Sequence, residues 1–231
     1  REKFGVRELE FLDDTFTLNQ KRAIEISRKI VEEKLDISWS ASSRVNTFSR
    51  EVGEAMHRAG AHTIYFGIES GSESTLRFIG KGITKQQSID AVKAAKSAGL
   101  NALGSFVIGF PYETEEDMRK TIKFANKVGV DLAQFTIATP YPGTRLWEIA
   151  VKKNLLLTRN WRKFTTVDVV MRNIYLTPQR IKRLFLQAYI TFYLHPKRVL
   201  KDIFQRRGFI LKRAIPAAIK YIKQAIAGAW E

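Results

Sequence analysis

The apolar and polar positions of the first 156 residues alternate between two periods. Residues 7–14 (RELEFLDD) and 36–43 (DISWSASS) read as strands, and residues 19–34 between them place Ala23, Ile26 and Ile30 on one helical face. A short helix over residues 50–60 leads to a third strand, residues 62–70 (HTIYFGIES). A helix over residues 84–99 follows, with Ile89, Val92 and Ala95 on one side, Thr84 as N-cap and Gly99 as its stop. Residues 101–110 read as a strand and residues 114–129 as a helix capped by Thr114, with Glu115, Glu116 and Asp117 in its first turn. A strand over residues 131–140 and a helix over residues 144–154 complete the series.

Strands and helices alternating at these lengths predict an α/β fold with a mainly parallel sheet covered by helices. Several strands read as apolar on both faces. In such a sheet the carboxyl ends of the strands share one edge, where ligands bind. The polar strand ends are therefore the candidate site: Asp13 and Asp14, Arg44, Glu69 and Ser70, Gly109 to Glu113, and Thr139 to Thr144. Each has a plainer reading. Asp13 and Asp14 can cap the helix that begins near Asn19, Arg44 can be a surface residue, and Glu69 can pair with Arg44. An ionised carboxylate beside an apolar strand costs several kcal/mol unless a partner or a ligand meets it.

Composition narrows the chemistry. The 231 residues contain no cysteine, which excludes disulfides and every thiolate ligand for zinc or an iron-sulfur cluster within this chain. His57, His62 and His195 lie far apart with no metal-ligand spacing, so no metal site is expected. Lysine or arginine interrupts every long apolar run, and a cytoplasmic protein is expected. The net charge of +16 is uneven: residues 151–231 carry 18 basic and 3 acidic residues, whereas residues 1–150 carry 21 and 20. A neutral body with a basic tail implies two kinds of partner.

The blocks FLDDTF, SSRVN, FGIESGSESTL with GKGIT, GSFVIGFPYETEEDMRKTI and FTIATPYPGTRLWEIA, in that order, resemble the core of radical S-adenosylmethionine enzymes, especially those that carry a cobalamin-binding domain. The resemblance covers residues 7–156. It implies a partial (β/α)6 TIM-like barrel, here without its first strand and cluster loop, over residues 1–156, with a basic helical extension over residues 157–231. It also implies roles. Asp13 and Asp14 stand where many members place a glycine-glycine-glutamate segment that meets the amino group of S-adenosylmethionine. Arg44 is placed for the methionine carboxylate, and Glu69 and Ser70 for the ribose or amino-acid portion. Val107, Gly109 and Phe110 are placed for adenine, and Thr139 belongs to the last strand's contribution. Members of the family hold a 4Fe-4S cluster on a C-x-x-x-C-x-x-C loop, and that cluster supplies the electron that cleaves S-adenosylmethionine. A chain without cysteine cannot hold it, so the expectation is a piece of a longer enzyme whose missing amino-terminal segment brings the cluster, and cobalamin through a further domain.

Two helices are expected in the extension. Residues 177–196 put Ile181, Leu184, Phe185, Ala188, Tyr189 and Phe192 on one face, which reads as a helix docked on the barrel. Residues 208–230 group Leu211, Ile215, Ile219, Ile222 and Ile226 in a narrow arc flanked by Lys212, Arg213, Lys220 and Lys223, with Pro216 near the start. A basic amphipathic helix ending in Trp230 fits an anionic membrane surface. The function expected is radical methylation or rearrangement of an unreactive carbon on a small-molecule or lipid-like substrate. The alternative is a non-catalytic module that binds a nucleotide-like ligand, or RNA through its basic tail; nucleic acid is the less favoured partner, because no added RNA-binding domain is found.

Overall fold

The computed structural model describes residues 5–204. The expected basic helix over residues 208–230 lies outside the described residues. The elements run β1 (Glu8–Phe11), α1 (Gln20–Glu32), β2 (Ser38–Ser43), α2 (Arg50–Arg58), β3 (Ala61–Glu69), α3 (Glu73–Phe78), α4 (Lys85–Ser97), β4 (Asn101–Ile108), α5 (Glu115–Lys127), β5 (Leu132–Ile137), α6 (Arg145–Lys152), α7 (Pro178–Tyr193) and α8 (Pro196–Phe204). The strands are hydrogen-bonded in the order β1-β2-β3-β4-β5 in one five-stranded sheet, and β1 with β2, β2 with β3 and β3 with β4 pair in parallel. The α/β fold with a parallel sheet is as expected.

Local chemistry explains the helix starts. Asn19 accepts from the Arg22 amide at 3.0 Å to cap α1, so neither Asp13 nor Asp14 takes that role. Thr84 and Gln87 close a reciprocal capping box on α4, and Thr114 with Asp117 does the same for α5. The six-residue α3 escapes the sequence pattern because it is too short to show a period.

The chain divides into two compact units, Arg1–Phe106 with Lys127–Gln134 and Val107–Asn126 with Phe135–Glu231. In the first unit, Trp39, Ile64, Phe66, Ile68 and Phe106 are wholly buried, as are Val52 and Met56 of α2 and Ala95 of α4. Phe48 packs edge-on against Phe66 at 5.2 Å, and Phe11, Phe16 and Trp39 form a second aromatic group within 4.8–5.4 Å. Each large apolar side chain removed from water there contributes about 1.5–3 kcal/mol.

The opposite face of the same strands differs from the expectation of apolar residues on both sides. One cross-strand row carries Ser42, Tyr65 and Leu103 and the next of that face carries Gly67 and Ser105, all half-buried. Serine, glycine and tyrosine beside Leu103 make that face more polar than the one that holds Ile64, Phe66 and Ile68.

In the second unit, α7 buries Ile181, Leu184, Ala188 and Phe192 as the periodicity predicts. The Tyr189 hydroxyl donates to the Phe135 carbonyl at 3.0 Å and accepts from the Phe135 amide at 3.2 Å, which fixes α7 beside β5. Arg180 donates to both oxygens of Glu115 at 2.5 and 2.7 Å. The Arg180 hydrogen bonds, seconded by Arg119, pull the Glu115 carboxyl down to about 2.

Candidate functional site

The end of β3 is the most unusual backbone in the first unit. Glu69 has φ 66°, a left-handed conformation that a residue with a Cβ adopts at a cost of order 1–3 kcal/mol, and the register with β4 shifts between Gly67 and Glu69. The bulge turns the carboxylate back over Gly67: a Cβ on Gly67 would sit 2.7 Å from Glu69 Oε1 and 2.9 Å from Lys81 Nζ. A side chain there would have to displace the ends of Glu69 and Lys81, so glycine leaves the pair undisturbed.

Lys81 is the partner that the sequence did not reveal. Its ammonium donates to Glu69 Oε1 at 2.7 Å, with both side chains about one-fifth exposed. Arg44 does not pair with Glu69; its Nη2 donates to the Lys81 carbonyl at 2.7 Å and its Nε to Asn46 Oδ1 at 3.3 Å. Arg44, Glu69 and Lys81 therefore form one connected group that joins the ends of β2 and β3 to the loop before α4. The only local signal for Lys81 was its place between Gly80 and Gly82. Ser70 is buried and closes the turn after the strand, its Oγ accepting from the Ser72 amide at 3.0 Å. Asp13 and Asp14 follow β1; Asp13 pairs with Arg22 at 3.1 Å in an exposed contact worth at most about 1 kcal/mol, and Asp14 is exposed.

In the second unit the turn after β4 is built on a buried carboxylate. Glu113, 3% exposed, accepts from the amides of Gly109 at 2.7 Å and Phe110 at 3.2 Å. Gly109 has φ +88°, and a Cβ there would lie 3.2 Å from Ile181 Cγ2. Val107 is half-buried, while Gly109 and Phe110 are buried. Asn173, also buried, donates to the carbonyls of Phe110 at 2.6 Å and Glu113 at 2.8 Å, and its Oδ1 accepts from the amides of Tyr175 and Leu176. Sequence reading missed Asn173 because a lone asparagine some sixty residues from its partners carries no pattern. The Thr139 hydroxyl lies 2.8 Å from the Thr165 carbonyl and 3.0 Å from that of Ile137, so its proton is spent within the fold.

The family is decided by comparison. The model of the radical SAM superfamily matches residues 1–125. The chain belongs to the radical SAM superfamily. Its relatives include a protein of Pyrococcus horikoshii described as an uncharacterized methyltransferase, 63% identical over 96% of this chain and 49% of its own length. A bacteriochlorophyllide d C-8(2)-methyltransferase of Chlorobaculum tepidum is 25% identical over 86% of this chain and 44% of its own. Among solved structures, a radical S-adenosylmethionine methyltransferase from Kitasatospora setae, with cobalamin and a [4Fe-4S] cluster bound, superposes with a TM-score of 0.59 at 18% identity over 78% of this chain and 38% of that one. The chain spans about half the length of the curated relatives it matches.

The radical SAM superfamily implies S-adenosylmethionine and a 4Fe-4S cluster, and this chain's residues answer the two differently. The sequence offers no cysteine, and among the described residues no group of three histidine, aspartate or glutamate side chains could hold a metal ion. These residues do not fit the cluster. A guanidinium, a carboxylate, an ammonium and a buried serine gathered about the end of β3 do fit a zwitterionic, hydroxyl-bearing ligand. No helix among the described residues is long and apolar enough to cross a membrane.

Proposed function

We propose that this chain is the S-adenosylmethionine-binding part of a radical SAM enzyme that methylates or rearranges an unreactive carbon of a small-molecule or lipid-like substrate. The observation that carries the reading is Glu69, a non-glycine residue in left-handed conformation whose carboxylate is held over Gly67 by Lys81. Strained backbone inside a strand end clusters at functional sites, where the surrounding structure holds it in place. Arg44 takes the ligand's carboxylate, and Glu69 and Ser70 take hydroxyl or amino groups. Asp13 and Asp14 follow β1 as a further polar contribution. In the second unit, Val107, Gly109 and Phe110 are assigned to adenine, where the positive φ of Gly109 permits close approach, and Thr139 acts only as an acceptor. The described strands belong to a six-stranded TIM-like barrel core over residues 1–156, extended by residues 157–231. Three cysteines outside these 231 residues hold the cluster, and a further domain brings cobalamin. The methyltransferase descriptions of the relatives support methylation over rearrangement. The protein works in the cytoplasm, with residues 208–231 as its contact to anionic membrane.

Two measurements test this. Anaerobic reconstitution of the chain alone should yield no stoichiometric iron and sulfide; a cluster absorbing as thiolate-ligated iron would sink the assignment of its ligands elsewhere. In protein that includes the family's cysteine loop, Arg44→Ala and Glu69→Ala should each weaken S-adenosylmethionine binding by about 1–3 kcal/mol, the range for a charged hydrogen bond. Lys81→Met should weaken it as well, and should add little in a Glu69→Ala background, because it acts through that carboxylate. Wild-type affinity in the Arg44 and Glu69 variants refutes the site.

A further inference from the structure

Residues 159–163 read Arg-Asn-Trp-Arg-Lys, and Trp161–Lys163 form a 3-10 turn in the connection between α6 and α7. The turn is built: Asn160 Oδ1 accepts from the Arg162 amide at 3.1 Å and Thr158 Oγ1 from the Asn160 amide at 3.1 Å. Trp161 is 57% exposed, against none for Trp39 in the core. It is nevertheless supported from behind. Its ring lies 4.7 Å from the buried Phe164 and 5.8 Å from Trp147 of α6, tilted 31° to the latter. The Tyr141 hydroxyl donates to the Phe164 carbonyl at 3.0 Å and fixes the base of this group. An indole steadied by rings on its inner side and open to water on the other forgoes burial that the fold provides elsewhere.

Its neighbours are cations without counter-charges. Arg159, Arg162 and Lys163 enter no ion pair among the described residues, and residues 153–167 contain no acid. On α7, by contrast, Arg180 is paired with Glu115 and Lys182 with Asp168. Arg159 also lines a surface cleft of about 240 Å³ with Asn154, Leu157 and Thr158.

We propose that this turn is a docking site for single-stranded nucleic acid, with a base stacked on the open face of Trp161 and the neighbouring phosphates met by Arg159, Arg162 and Lys163. A stacking ring bracketed by cations is what a single strand requires, since every base presents a π-face and every linkage a charge. A membrane surface fits less well. Insertion needs a continuous apolar stripe, and here charged residues adjoin the tryptophan along the chain. The proposal stands independently of the cofactor site.

The test is fluorescence anisotropy of the intact chain with end-labelled oligouridylate and oligothymidylate of about twelve nucleotides, within the span such surfaces cover, over a series of salt concentrations. Trp161→Ala should weaken binding by about 5- to 150-fold, the loss of one stacked base, and Trp161→Phe should recover most of it. Arg159→Gln, Arg162→Gln and Lys163→Gln together should make the negative slope of log affinity against log salt shallower by about 2, at ~0.7 for each phosphate on a single strand. The basic residues of 205–231 will give some background attraction, so the differences between variants are what decide. No binding, or binding with unchanged affinity in Trp161→Ala and unchanged slope in the triple variant, overturns the proposal. So does attachment to vesicles of anionic and neutral phospholipid that needs Trp161, without binding to either oligonucleotide.

Discussion

Replacing Asn173 by alanine removes the four hydrogen bonds that its side chain makes, two donated to the carbonyls of Phe110 and Glu113 and two accepted from Tyr175 and Leu176. At a net value of about 1 kcal/mol each, the loss comes to about 4 kcal/mol, and more if the buried partners stay dry. A domain's whole stability is about 5–15 kcal/mol, so the effect should be plain in urea unfolding followed by circular dichroism. Asn173→Asp separates the donor half from the acceptor half. Aspartate still accepts from Tyr175 and Leu176, but it turns an anion toward two carbonyl oxygens. Its carboxyl should therefore ionise less readily in the folded state than in the unfolded one. A group with a raised folded pKa contributes most below its unfolded value, about 3.9 for aspartate, and loses that contribution as pH rises through the folded value. The aspartate variant should thus lose stability relative to the alanine variant between about pH 4 and about pH 7. A cost below about 1 kcal/mol for alanine, or a difference between the two that does not change with pH, would refute the account of this turn.

Two other outcomes follow from the second unit. Glu115 titrates near 2 because Arg180 and Arg119 hold it ionised, so the stability it lends is present above its ordinary value of 4.5 and is lost as pH falls from there toward about 2; Arg180→Gln should flatten that part of the stability profile, and an unchanged acid limb would show the pair to be idle. Gly109→Ala forces a left-handed alanine whose Cβ meets Ile181 Cγ2 at 3.2 Å, so it should cost about 1–3 kcal/mol and lower the melting temperature by about 2–10 °C, whereas an unchanged melting temperature would mean that the turn relaxes freely.

What the sequence determined by itself was local. Helix starts at Gln20, Lys85, Glu115 and Arg145 follow from side chains one to three positions away, and the period of Ile181, Leu184, Ala188 and Phe192 already stated which face of α7 is buried. The ordered blocks from FLDDTF to PYPGT were enough to indicate the family, because they fix several strand ends at once. The tertiary structure decided the partners. Glu69 needs a counter-charge, and from the sequence Arg44 served as well as any; only the bulge after Gly67 and the path of the loop through Gly80 and Gly82 bring Lys81 to 2.7 Å and leave Arg44 on a backbone carbonyl. The same holds for Asn173, which reaches Phe110 and Glu113 across some sixty residues, and for the polar face of β2, β3 and β4, where register aligns Ser42 with Tyr65 and Gly67 with Ser105. Hydrogen bonds and ion pairs act over about 3 Å, so a sequence specifies them only once the backbone has brought distant segments together.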